Sequence, residues 1–175
     1  MSSPKNSYSS SSILLHWITA IAMFALFFTH EGENWSPMYE FHVSGGAILG
    51  ILILWRVIRR PFFGFPDKPT QPVVFNWIST FVIWGILLTT FVVTVTGYLL
   101  PWTLGKSLAI YDIFAIPSFM NGSYAIHEIV EQIHDIAGHV IVPLVLLHIL
   151  GALKHLLIDR DGVMQRMIKG YKGGR

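Results

Sequence analysis

The sequence predicts an all-α protein, an integral membrane four-helix bundle with both termini cytoplasmic, and three observations carry that expectation. Of the 175 residues, 53% are hydrophobic and 13% charged, whereas ordinary soluble domains carry roughly 25% charged residues. Uncharged stretches cover residues 6–30, 41–55, 69–105 and 136–153, and a helix that crosses the hydrocarbon needs about 20 apolar residues. The cations are also one-sided. If the helices alternate in direction, Lys5, Arg56, Arg59, Arg60, Lys68, Lys154, Arg160, Arg166, Lys169, Lys172 and Arg175 share a face, and of the 12 Lys and Arg only Lys106 lies opposite. Short loops with that bias remain in the cytoplasm. Four spans leave no room for a soluble domain of any size, so whatever the chain does happens in or at the edges of a bilayer.

Each element follows from local chemistry. Residues 1–12 form a polar, Ser-rich cytoplasmic lead. No small-residue cleavage site follows the first apolar run, so that run reads as a retained span over 13–29. The loop EGENWSPMYE turns the chain back. The second span, 41–58, reaches membrane length only by including Arg56, whose long side chain can snorkel to the headgroups, and it is expected to stop at Pro61, which cannot continue a helix. After the turn-rich FFGFPDKPTQP, the third span covers 73–100, with Gly97 and Pro101 marking its exit. The outer stretch up to residue 124 suggests a short interfacial helix around IYDIFAI. The fourth span, 124–158, begins outside the bilayer and is expected to kink at Pro143. The domain is thus 13–158, followed by a basic tail, 159–175, suited to anionic lipid. With no cysteine, disulfides, iron–sulfur clusters, thiolate-ligated haem and covalently attached c-type haem are excluded.

The chemical signal is histidine. There are eight, His16, His30, His42, His127, His134, His139, His148 and His155, all on or beside the first, second and fourth spans. His134 and His148 are 14 residues apart, so they return to nearly one helix face about 21 Å apart along the axis. Two metal centres stacked at two depths would look like this. A partner is then required at each depth: His16 matches His148, and His42 matches His134. His30, 14 residues from His16, competes with His42, although Phe27 and Phe28 crowd that turn and HEGE reads as a helix exit. Ser44, Gly45, Gly46, Gly50, Gly138 and Gly151 stand near the proposed ligands, where the edge of a flat ring would pass. Glycines in membrane helices also serve close packing. A small histidine-rich metal transporter is the non-redox alternative.

The segments LLHWITA, EFHVSGGAILGILILWRVIRR, TGYLLP and HDIAGHVIVPLVLLHILGALKHLLIDRDGVMQRM together resemble the bacterial cytochrome b561 family, which is related to the cytochrome b subunits of nickel–iron hydrogenases. The resemblance covers residues 8–168. It implies a multi-pass protein of the bacterial inner membrane with two haem b groups, each held by two histidines: His16 with His148 on the cytoplasmic side, His42 with His134 on the outer side. It also implies electron transfer between a quinone, ubiquinone or another, and a redox partner at the opposite face, with no nucleic acid involved.

Beside these ligands, Arg56 is a candidate contact to a haem propionate, with Arg59 and Arg60 further from that role, and His155 is a candidate quinone contact at the cytoplasmic interface. His139, about 140° from the ligand face, reads as structural, and His127 as solvated. The alternative function, superoxide oxidation with ubiquinone as acceptor, is an activity of some members and would make the chain an oxidoreductase. Steering an anion favours cations, yet the outer face carries Lys106 against Glu31, Glu33, Glu40, Asp112, Glu128, Glu131 and Asp135.

Overall fold

The computed structural model describes residues 8–30, 32, 36–63 and 71–168. The start of the polar lead, Glu31, Glu33, Trp35, the loop around Asp67 and Lys68, and the tail cations Lys169, Lys172 and Arg175 lie outside the described residues.

Helix α1, Ser10–Thr29, begins within the serine run because Ser9 caps it, its hydroxyl accepting from the Ser12 N–H. The second crossing begins earlier than residue 41. A short α2, Pro37–Glu40, is capped by Ser36, whose hydroxyl accepts from the Tyr39 N–H, and Pro37 sits at the first turn, where its missing N–H has no helical partner to lose. The chain continues through a single π turn, Phe41–Gly45, into α3, Gly46–Phe63. Pro61 does not end this helix. In a last turn a proline removes one backbone hydrogen bond without disrupting a longer ladder, and the helix runs on to Phe63. The same holds for α4, Val73–Thr103, which passes Pro101 and closes when the Leu104 N–H donates to the Pro101 carbonyl at 3.2 Å. Helix α5, Tyr124–Lys154, runs through Pro143 and passes into a second π turn, His155–Asp159. It stops at Arg160, which adopts the left-handed conformation at φ 50°.

The expected interfacial helix around IYDIFAI is absent. That segment is an antiparallel hairpin, β1 Leu108–Ile110 with β2 Phe114–Ile116, Leu108 facing Ile116 and Ile110 facing Phe114. Alternation of β-branched and aromatic side chains favours a pleated strand. Tyr111 and Asp112 make the turn with positive φ, 46° and 52°. Packing fixes the hairpin on the bundle: Leu108 and Ile110 are buried against Ala47, Val43 and Tyr98, and the Tyr111 N–H donates to the Ser44 hydroxyl at 2.9 Å.

Four helices are long and apolar enough to cross a membrane, Ser10–Thr29, Pro37–Arg60, Val73–Thr103 and Tyr124–Asp159. Bulky apolar side chains such as Ile21, Ile51, Trp77, Phe81, Leu88 and Leu146 point outward, as suits a protein solvated by lipid. The interior mixes aliphatic side chains such as Ile13, Ile53, Leu87 and Leu144 with alanines and threonines. Thr19, Thr96 and Thr103 are buried, and their hydroxyls donate to carbonyls of their own helices at 2.7 to 2.8 Å, so no polar atom of theirs needs water. Helix α4 packs along α5 and against α3, and α3 against α1. Among the described residues, α5 makes little close backbone contact with α1 or with the π turn at Phe41–Gly45. Those two gaps are where the histidines meet.

Candidate functional site

Two histidine pairs bridge the gaps. The rings of His16 on α1 and His148 on α5 have centres 6.2 Å apart and planes at 69°. His42, in the π turn, faces His134 on α5 with centres 6.2 Å apart and planes at 89°. The offset of 14 positions between His134 and His148 on α5 sets the pairs about 21 Å apart along that helix. The π turn matters here because it adds a residue to the helical turn and re-aims His42; such bulges recur at functional positions.

The pairs differ in what holds them. At the second, the His42 Nδ1–H donates to the Leu26 carbonyl at 2.8 Å. The Thr96 hydroxyl, which itself donates to the Val92 carbonyl at 2.8 Å, accepts from His134 Nδ1–H at 3.1 Å. Both protons therefore sit on Nδ1, and both Nε2 atoms carry the lone pair that a metal needs. Gly97 lets the His134 ring lie against α4, for a Cβ there would stand 3.1 Å from the ring. At the first pair, Arg56 Nη2 donates to His16 Nδ1 at 2.7 Å. A guanidinium has no acceptor, so in the neutral His16 ring the proton lies on Nε2.

Around the far end of α5, His155 Nδ1–H donates to Asp161 Oδ2 at 2.8 Å and lies 3.2 Å from Asp159 Oδ2; Lys154 also pairs with Asp159. Burial pushes the Asp161 carboxyl up, but the Val163 N–H and His155 outweigh it and hold the group below its usual value. The segment is tied back to the first pair's neighbourhood by the Trp17 indole N–H, which donates to the Met167 carbonyl at 2.9 Å.

The other predicted positions separate from these pairs. Arg60 Nη2 donates to the Tyr8 hydroxyl at 2.9 Å. His127 Nδ1–H donates to Thr103 Oγ1 at 2.9 Å, and its side chain is only 20% exposed, so it is not simply solvated. His30 does not face His134. It faces His139, an encounter the sequence reading missed because it placed His139 by its angle from His134 alone. Asp161 was missed as well, although its offset of six from His155 becomes legible once a left-handed residue is placed at Arg160.

A profile of the family described as prokaryotic cytochrome b561 matches residues 7–170, nearly the whole chain. The chain belongs to the prokaryotic cytochrome b561 family. Two curated relatives from Escherichia coli (strain K12) agree: cytochrome b561 homolog 2 is 25% identical over 169 residues, covering 90% of this chain and 88% of its own length. Cytochrome b561 homolog 1 is 24% identical over 176 residues, covering 95% and 99%. A cytochrome b561 is a membrane electron-transfer protein that binds b-type haem.

The residues present fit that group. Two imidazole nitrogens each about 2 Å from a metal place ring centres about 6.4 Å apart when they are collinear with it, close to the 6.2 Å of both pairs. Gly138 and Gly151, four and three residues beyond His134 and His148, face open space with nothing within 4 Å of where a Cβ would stand, as the edge of a planar macrocycle requires.

Proposed function

We propose that this cytochrome b561 binds two b haems, one between His16 and His148 and one between His42 and His134, and passes single electrons across the bacterial inner membrane between a quinone pool and a redox partner at the opposite face. The observation that carries the reading is the repetition of one ring spacing, 6.2 Å, at two depths of α5. In this reading 13–158 is the cytochrome domain, and both termini lie in the cytoplasm because the cations gather there. His16 with His148, and His42 with His134, would hold the two groups, which would supply one-electron chemistry with no position left open to oxygen.

The protein's own residues do the rest. Leu26 and Thr96 fix the tautomers of His42 and His134. Arg56, which donates to His16, must release Nδ1 before that ring can present a lone pair at Nε2, and a carboxylate of the bound group is the natural new acceptor for its guanidinium. His155 stands about 10 Å beyond His148 by helical rise. With its Nδ1–H held by Asp161, its Nε2 can accept a proton from a quinol headgroup and return it. Superoxide is the less favoured donor, because on the outer face Lys106 stands against seven carboxylates.

The test is haem stoichiometry with ligand deletion. The pyridine haemochrome assay is expected to return about two b haems per chain with low-spin spectra. One haem per chain, or a high-spin spectrum in the intact protein, would contradict the proposal.

A further inference from the structure

Once His16, His42, His134 and His148 are assigned and His155 is placed at the quinone end, His30, His127 and His139 remain outside the electron path, and of these His30 and His139 lie together. Their rings meet with centres 6.0 Å apart and planes at 83°, nearly the spacing and angle of the two ligand pairs. His30 follows the last residue of α1, and its ring stacks on Phe27 at 5.1 Å. His139 lies on α5 one turn after Asp135.

The tautomers are fixed in the sense that metal binding requires. His30 Nδ1–H donates to the Phe27 carbonyl. His139 Nδ1–H donates to the Asp135 carbonyl at 2.9 Å, with the Asp135 carboxylate 3.2 Å from the same nitrogen. Each proton is therefore held on Nδ1 by a backbone oxygen, and each Nε2, at the far end of its side chain, carries the lone pair. A backbone or carboxylate partner on the second ring nitrogen is the usual support of a metal-bound histidine.

We propose that His30 and His139 form a site for a borderline-soft divalent cation of the Zn²⁺ or Cu²⁺ class, separate from the haem positions and bridging α1 to α5. An ion about 2.0–2.1 Å from each Nε2 needs ring centres between about 5 Å for a tetrahedral angle and about 6.4 Å for a linear one, and 6.0 Å lies inside that range. Imidazole pairs suit Zn²⁺ and Cu²⁺, whereas Mg²⁺ and Ca²⁺ seek oxygen. The His139 side chain is 60% exposed, so no packed protein group covers it against an added ligand. Because α1 and α5 share little close backbone contact among the described residues, the ion would add a link that direct packing does not provide. It would also act on the nearer haem: His30 lies within electrostatic reach of both His42 and His134, and an added positive charge there favours the reduced iron.

The experiment uses holoprotein in detergent with both haems present and adventitious metal removed by chelator. Zn²⁺ is titrated by calorimetry and Cu²⁺ by EPR. One site is expected, with a Cu²⁺ signal split by two imidazole nitrogens. His30→Ala and His139→Ala should each weaken binding at least about tenfold, with visible spectra unchanged. Zn²⁺ should shift the midpoint of the His42–His134 haem upward in the unsubstituted protein and not in either variant. His139→Gln provides a second, less disruptive change with the same expected loss. The proposal is overturned if affinity survives both alanine variants, or if it is lost in His155→Ala instead, which would place the ion at the His155, Asp159 and Asp161 cluster. Loss of a haem from His30→Ala would also overturn it, since His30 would then be an iron ligand.

Discussion

The two ligand pairs share one spacing and differ in nearly everything around it. At His42 and His134, a backbone carbonyl and a threonine hydroxyl hold both Nδ1 protons. At His16, a guanidinium occupies the same nitrogen from the opposite chemical sense, as donor. Equal spacing is what two copies of the same proposed group would require between the rings. Unequal surroundings mean that one pair already presents both Nε2 lone pairs and the other must exchange a hydrogen bond first; on the two-haem proposal, a guanidinium would stand beside one haem and not the other. One helix, α5, thereby presents a histidine at two depths in different electrostatic surroundings, and two haems held there as proposed would differ in potential for that reason.

The largest effect that breaks this comparison is ligand removal. His148→Ala or His16→Ala should abolish the haem on the Arg56 side and leave the other, while His42→Ala or His134→Ala should do the reverse, as read by haemochrome stoichiometry and redox titration. Loss of both haems from each variant would mean that the pairs are not independent. Next in size is Thr96→Ala, which removes the side-chain acceptor for His134 Nδ1–H and leaves only the Val93 backbone beside that ring. Partners of this kind are worth about 10–100-fold in metal affinity, so haem retention should fall at the His42–His134 position only, and Thr96→Ser should restore it.

Arg56→Leu sharpens the other half. Removing a half-buried cation beside the first pair should lower that haem's midpoint potential by an amount on the order of 1 kcal/mol in the redox equilibrium, and Arg56→Lys should recover most of it. The potential of the second haem should not move. The smallest effect concerns the His155 end. His155→Ala and Asp161→Asn should slow haem reduction by quinol in stopped flow while both spectra stay intact.

The Asp161 carboxyl is held below its ordinary value. Its stabilisation of the C-terminal turn is therefore complete above the unfolded pKa of about 4 and fades as pH falls through the lowered folded value. Hydrogen exchange of the Val163 N–H, which donates to Asp161 Oδ1 at 3.1 Å, should accelerate relative to neighbouring amides across that acid window. In Asp161→Asn this pH dependence should disappear.

Much of the fold was readable because membrane helices report themselves by length and apolarity. The four crossings fall within a few residues of their expected positions at 13–29, 41–58, 73–100 and 124–158. The errors are instructive. Pro61 and Pro101 read as stops in the sequence, yet each sits near a helix end where it removes only one bond. The hairpin at Leu108–Ile116 read as a helix because its short alternation is weak evidence either way, and Ser44 and Ala47, more than sixty residues earlier, supply the contacts that hold it.

At the sites, the sequence by itself determined which residues were eligible. Hydrocarbon admits few unpartnered histidines, and a spacing of 14 on one helix is a fixed angle and rise. That is enough to single out His134 and His148 and to restrict their partners to histidines at matching depth. What only the tertiary structure decided is who faces whom: His42 opposite His134, His30 opposite His139, Arg56 on His16 and Asp161 on His155. Helical periodicity fixes directions within one helix, whereas these pairings depend on the relative rotation and offset of separate helices, on a π turn that rotates His42, and on a left-handed residue that folds Asp161 back. Those quantities arise from packing between distant segments, and no local pattern in the chain encodes them.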